Sequence, residues 1–171
     1  MKIREFTELD LADCIRLGRE MVDYHRQIYE DNSIPYGDEE LREKLTRRDT
    51  NWLKFVAIEE GRVVGLLILT IKEERGGTCE IDYIVVAKDK RGKGIGRALI
   101  NHAKKVALEK GCQEITAKVA ARNVQAIKFY NRNGLNCLGM IEVFAPLTNE
   151  RKKQWYVMGK RTKFLGLEHY Y

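Results

Sequence analysis

Apolar and polar residues follow two rhythms along this chain, and the switches between them mark out its elements. Lys2 to Phe6 alternates with period two, the pattern of a short strand. Thr7 can cap a helix, and after it Leu11, Ile15, Met21, Val22 and Ile28 fall on one helical face as far as about Glu30. Asn32 to Gly37 breaks that face, and Asp38 to Arg48 reads as a second, strongly charged helix. Trp52 to Ile58 and Val63 to Ile71 flank Glu60-Gly61, a hairpin pattern. After Gly76-Gly77 comes a strand from Cys79 to Val86. Ile95, Leu99, Ala103 and Val106 predict a third helix closed by Lys110-Gly111. Glu114 to Val119 is strand-like, Asn123 to Arg132 is a helix ended by Asn133-Gly134, and Asn136 to Phe144 and Lys153 to Lys160 read as two closing strands. The order β-α-α-β-β-β-α-β-α-β-β predicts an α/β fold, a mixed central sheet of about seven strands flanked by about four helices.

Composition narrows the class. A chain of 171 residues without repeats or Pro/Gly-rich linkers suits a single domain, expected over residues 1–165, with 166–171 as a C-terminal tail. Hydrophobic residues at 44% and charged residues at 33% point to a globular protein rather than a disordered one. The longest apolar run, Val63 to Ile71, is far short of the roughly 20 residues that span a bilayer. Met1-Lys2-Ile3-Arg4-Glu5 lacks the apolar core of a signal peptide, so the expected address is cytoplasmic. The four cysteines lie far apart and the three histidines are scattered, which argues for buried reduced thiols and no metal site.

The net charge of +6 and pI of about 9.1 matter because of where the cations sit. Lys88, Lys90, Arg91, Lys93 and Arg97 crowd around Gly92, Gly94 and Gly96, between the Cys79–Val86 strand and the third helix. Glycines there permit positive φ and close approach to a ligand, and the helix N-terminus offers free amides and a favourable dipole to an anion. A pyrophosphate would be well held. No G-x-x-x-x-G-K-[ST] string occurs, and the third glycine of a dinucleotide fingerprint would fall at Arg97. What fits is R-x-x-G-x-G, at Arg91, Gly94 and Gly96.

With that motif the chain resembles the GNAT superfamily of N-acetyltransferases, in which [RQ]-x-x-G-x-[GA] cradles the coenzyme A pyrophosphate. Asn123-Val124-Gln125-Ala126-Ile127-Lys128-Phe129-Tyr130, followed by Asn131 to Leu135, resembles the family's N-x-x-A-x-x-x-Y helix. Tyr156 to Lys160 is similar to its last strand, so the resemblance runs from about Ile3 to Lys160. It implies acetyl-CoA as cofactor and transfer of its acetyl group to a primary amine, of a small molecule or of a protein or peptide, by direct attack in a ternary complex. The alternative is a non-catalytic acyl-CoA-binding sensor or scaffold.

Carried over residue by residue, the resemblance implies a cofactor site of Ile84, Val85, Val86, Arg91, Gly92, Lys93, Gly94, Ile95, Gly96, Arg97, Asn123, Ala126, Tyr130 and Arg132. The Val86 amide is the preferred donor to the developing oxyanion. Tyr130 stands where the family has its usual general acid, although it also reads as a core aromatic, and Asn123 as a simple N-cap. Strand alternation would put Glu80, Asp82, Ile84 and Val86 on one face. Glu80 matches the carboxylate base of histone-modifying members, and Asp82 could serve instead; each reads equally as a solvent-facing carboxylate. Where some protein-acetylating relatives carry a base Glu on the next strand, this chain has Lys118. Tyr24, His25, Tyr29, Asp31, Tyr36 and Asp38 form an acidic and aromatic set suited to a cationic acceptor, though each also reads as packing or surface. No membrane partner is expected. Nucleic acid is disfavoured, since no helix-turn-helix, RNP-like or zinc-finger pattern occurs. A homodimer is left open by an edge-rich sheet.

Overall fold

The computed structural model describes residues 1–73 and 77–137, and the backbone of 163–164 and 167–168. The chain runs β1 (Lys2–Glu5), α1 (Leu11–Tyr29), α2 (Asp38–Thr46), β2 (Trp52–Glu59), β3 (Arg62–Lys72), β4 (Thr78–Val86), α3 (Ile95–Glu109), β5 (Glu114–Ala117) and α4 (Val124–Arg132). The strands lie in the order β1-β2-β3-β4-β5. Neighbours are antiparallel through β4, and β5 is parallel to β4 across the α3 crossover. This sheet has five strands among the described residues rather than about seven. Of the two closing strands expected, only Asn136 and Cys137 are described, and these are not in a strand; the rest lies outside the described residues. Lys163–Phe164 and Leu167–Glu168 form a separate two-stranded antiparallel ladder. No helix among the described residues is long and apolar enough to cross a membrane.

Two apolar layers sandwich the sheet, and strand alternation divides β3 between them. Leu66 and Ile68 pack with Cys14 and Leu17 of α1 and with Leu41 and Leu45 of α2. Leu67 and Leu69 pack with Ile95, Leu99, Ile100 and Ala103 of α3, against which Phe129 and Tyr130 of α4 also lie. Gly18 makes the α1 contact close: a Cβ there would lie 2.4 Å from Leu41 Cδ2 and 3.1 Å from the Tyr83 hydroxyl oxygen. The entry to α1 is set by Asp10, which is 5% exposed. Its carboxylate accepts both Arg4 guanidinium nitrogens at 2.7 and 2.8 Å and the Thr7 backbone amide at 2.8 Å. That bidentate pairing below the helix start holds the Asp10 carboxyl under its usual range. A short 3-10 turn, Glu8–Asp10, therefore precedes the helix that the hydrophobic pattern places directly after Thr7.

Candidate active site

The site is organised by an irregularity in β4. Ile68 pairs with Tyr83 and Leu69 with Ile81, so Asp82 is an extra residue opposite no partner, a β-bulge. A bulge reverses side-chain parity. Cys79 and Ile81 pack towards α3, and beyond the bulge so do Ile84 and Val86, while Tyr83, Val85 and Ala87 pack towards α1 and α2. Glu80 therefore does not share a face with Ile84 and Val86, as regular alternation implies. It lies on the α1–α2 side, and Thr70 Oγ1 donates to Asp82 on that side as well.

The second feature is a fork. β4 and β5 pair from Thr78↔Glu114 to Ile81↔Ala117 and no further, so residues 82–86 have no strand on that edge among the described residues. The Ala87 amide donates to Val64 O of β3 at 2.9 Å. Successive amides in a strand face opposite edges, so the Val85 amide also faces β3, and those of Ile84 and Val86 face the fork. Arg91 Nε donating to Val86 O at 3.0 Å agrees with this direction. Of the three residues read as amide donors, Ile84 and Val86 have amides with no strand partner among the described residues, and Val85 does not.

The glycine turn closes the fork. Gly92 and Gly94 have φ of +77° and +83°, and a Cβ on either would meet nothing within 4 Å. That is open space at the N-terminus of a 15-residue helix whose leading amides, Ile95, Gly96 and Arg97, lack intrahelical acceptors. Gly96 is different: its Cβ would lie 3.0 Å from Phe129 Cε2, so it serves the α3–α4 contact. The neighbouring cations divide their roles. Lys90 pairs with Glu59, the Lys88 amide donates to Glu20 at 2.7 Å, and Arg91 lies over the Tyr24 ring at 5.8 Å. Lys93 and Arg97, whose side chains make no hydrogen bond or ion pair among the described residues, flank the open cradle. The donor set fits a pyrophosphate.

Across the fork stands α4. Asn123 caps it, accepting the Ala126 amide at 3.0 Å, and receives a long hydrogen bond of 3.4 Å from the Tyr24 hydroxyl. Tyr130 packs edge-on against Phe129, centroids 5.4 Å apart. Burial pushes its phenol up to about 12, so it is protonated at neutral pH. Arg132 lies exposed in the last turn, away from the capping group.

Glu80 is 7% exposed. Its Oε2 accepts from Lys72 Nζ, and Lys118 Nζ lies 3.1 Å from Oε1. Burial pushes this carboxyl up, but the hydrogen bonds from the two lysines outweigh it and hold it below its usual range. Of the residues read as an acceptor set, Asp38 and Tyr36 already have partners. Arg19 binds Asp38 through two nitrogens, Tyr36 donates to Asp23 at 3.0 Å, and Arg26 lies 4.1 Å over the Tyr36 ring while donating to Ile34 O. Neither the Lys118–Glu80 contact nor the bulge has a signal in the sequence. The spacing of Thr70, Lys72 and Glu80 within a hairpin pattern is the nearest hint.

Comparison with known proteins bears on the family and the fold. The sequence model of the Acetyltransferase (GNAT) family matches residues 19–135. N-alpha-acetyltransferase MAK3 of Arabidopsis thaliana is 34% identical over 83 residues, 48% of this chain and 44% of that protein. A streptothricin acetyltransferase of Escherichia coli is 36% identical over 83 residues, 46% of this chain and 47% of that protein. The chain thus spans about half the length of the curated relatives it matches. Aminoglycoside N-acetyltransferase AAC(6')-Iy, solved in complex with CoA, shares the fold with a TM-score of 0.64 at 16% identity, over 86% of this chain and 100% of that one.

Proposed function

The chain belongs to the acetyltransferase (GNAT) family, and on that premise we propose that it transfers the acetyl group of acetyl-CoA to a primary amine by direct attack in a ternary complex. The observation that carries the reading is the fork beside the glycine turn: two free strand amides, at Ile84 and Val86, open next to an uncrowded anion cradle at Gly92 and Gly94. Acetyl-CoA supplies an acyl group already activated as a thioester. Gly92 to Arg97 would hold its pyrophosphate, with Asn123 and Ala126 lining the α4 side.

The protein's own groups meet three needs of the reaction. The Val86 amide, with Ile84 beside it, donates to the acyl oxygen as negative charge grows there; one such donor is worth a factor of about 100 or more in rate. Tyr130 donates a hydrogen bond to the departing sulfur. With its phenol near 12 it is a firm donor rather than a ready source of a full proton to a thiolate of about 8.5. The amine must lose a proton to attack, and Asp82, in the bulge beside the fork, is better placed to take it than Glu80, whose carboxylate is engaged by two ammonium groups. The acceptor is an amine of a small molecule or of a protein or peptide.

The test is release of free coenzyme A thiol from acetyl-CoA, followed with a thiol reagent across a panel of amines. Release that depends on the amine is the expected result. Binding of acetyl-CoA with no amine-dependent release would make the protein a non-catalytic acyl-CoA binder.

A further inference from the structure

We infer that the acceptor is an amine that also carries an anionic group, a carboxylate or phosphate, and that Lys118, held over Glu80 where β4 and β5 part, recognises that group. The inference rests on the acetyl-transfer reading and names its acceptor class.

Lys118 directly follows the last paired residue of β5, Ala117, so it stands at the apex of the fork. Its side chain is 86% exposed, yet its ammonium is held 3.1 Å from a carboxylate that is 9% exposed. That carboxylate already accepts from Lys72. One negative charge shared between two ammonium groups leaves much of the Lys118 charge directed outward, on a side chain whose base is fixed.

The surroundings give the position a polarity. On the α1–α2 face of β3 the apolar residues end at Ile68, and Thr70 and Lys72 follow. This polar floor continues across the register into Glu80 and Asp82. By the β4–β5 register Lys118 falls opposite Asp82, and Ile84 and Val86 lie two and four residues further along β4. At roughly 3.3 Å per strand residue, their amides are about 7–13 Å from that level. An acceptor with its amine near Asp82 would reach Lys118 with a group several bonds away. Were that group a second ammonium, it would meet a like charge. At the start of α2, Asp38 is already bound by Arg19 and Glu40 by Lys44.

The experiment compares kcat/KM for matched acceptors: β-alanine with β-alaninamide, phosphoethanolamine with ethanolamine, and Ala-Glu-Ala-amide with its Gln and Lys counterparts. Spermidine and kanamycin serve as polycations. In every pair that is turned over, the acidic member should lead by tenfold or more, and Lys118→Glu should reduce or reverse that ratio, chiefly through KM. Because Lys118 is exposed, the variant should fold; its circular dichroism and its affinity for acetyl-CoA report on that separately. Preference for the polycations, or an acid-to-neutral ratio unmoved in Lys118→Glu, would overturn the inference while leaving acetyl transfer standing. Turnover of no amine at all would sink the acetyl-transfer reading and this inference with it. The carboxylate and phosphate pairs tell the two anion sources apart.

Discussion

A Cβ on Gly96 would lie 3.0 Å from Cε2 of Phe129, so the first turn of α3 and the middle of α4 meet through a missing side chain. Tyr130 is the next residue on α4, and its position therefore depends on a glycine that the motif assigns to phosphate binding. Alanine at Gly96 gains up to about 1 kcal/mol of helix propensity but overpacks a contact, which typically costs about 1–3 kcal/mol. Gly96→Ala should lower stability by about 1 kcal/mol, and Gly96→Val by more. Combining Gly96→Ala with Phe129→Leu should recover part of the loss. Additive effects in a thermal or denaturant double-mutant cycle would show that the two do not press on each other.

Gly94 behaves differently. Its φ of +83° disfavours any side chain, but nothing crowds the space a Cβ would take. Gly94→Ala should cost about 1 kcal/mol of stability. Gly94→Asp should abolish micromolar acetyl-CoA binding by placing bulk and negative charge in the cradle. Calorimetric titration checks both; an Asp variant that folds and binds normally would move the pyrophosphate elsewhere.

Tyr130→Phe should lower kcat by about 10- to 100-fold while acetyl-CoA affinity changes little. Since burial holds the phenol near 12, its ionisation should leave no alkaline limb in the pH–rate profile below about pH 11. Unchanged turnover would take Tyr130 out of the mechanism.

Asp82→Asn should lower kcat by about 10- to 100-fold at pH 7, whereas Glu80→Gln should leave kcat nearly unchanged. The Glu80 effect is one of stability. Its folded pKa lies below the unfolded value, so its contribution is present above the usual carboxylate range and is lost as pH falls through the folded pKa. Denaturation of Glu80→Gln at pH 7 should show a loss of about 1–2 kcal/mol, and the gap to wild type should close in acid. A constant gap would mean that the charge is irrelevant.

His102 packs edge-on to Phe55, centroids 4.5 Å apart, and its Nε2 is buried with no hydrogen-bond partner among the described residues. Burial, aided by Lys105, lowers its pKa. A histidine with a depressed folded pKa stabilises the fold above its unfolded value of about 6.5, and that stability drains away as pH falls below it. Melting temperature should drop more steeply between pH 7 and pH 5 in wild type than in His102→Leu; parallel curves would refute the assignment.

What the sequence determined by itself is whatever has a local cause. The period of Leu11, Ile15 and Val22, the Glu60-Gly61 hairpin and the helix spacing of Ile95, Leu99 and Ala103 placed α1, β2–β3 and α3 to within a few residues. The glycine turn was legible for the same reason, since positive φ at Gly92 and Gly94 and free amides at a helix start are properties of a few consecutive residues.

Tertiary structure decided the rest, because it depends on pairing between distant segments. One extra residue opposite β3 turned Glu80 away from Ile84 and Val86, and no period within β4 announces that slip. The stop of β5 at Ala117 opened the fork, and with it the free amides. The ammonium groups of Lys72 and Lys118, 46 residues apart in sequence, met on one buried carboxylate only once three strands lay side by side. Alternation predicts which face a residue takes until register changes, and register is fixed by the neighbouring strand rather than by the strand itself.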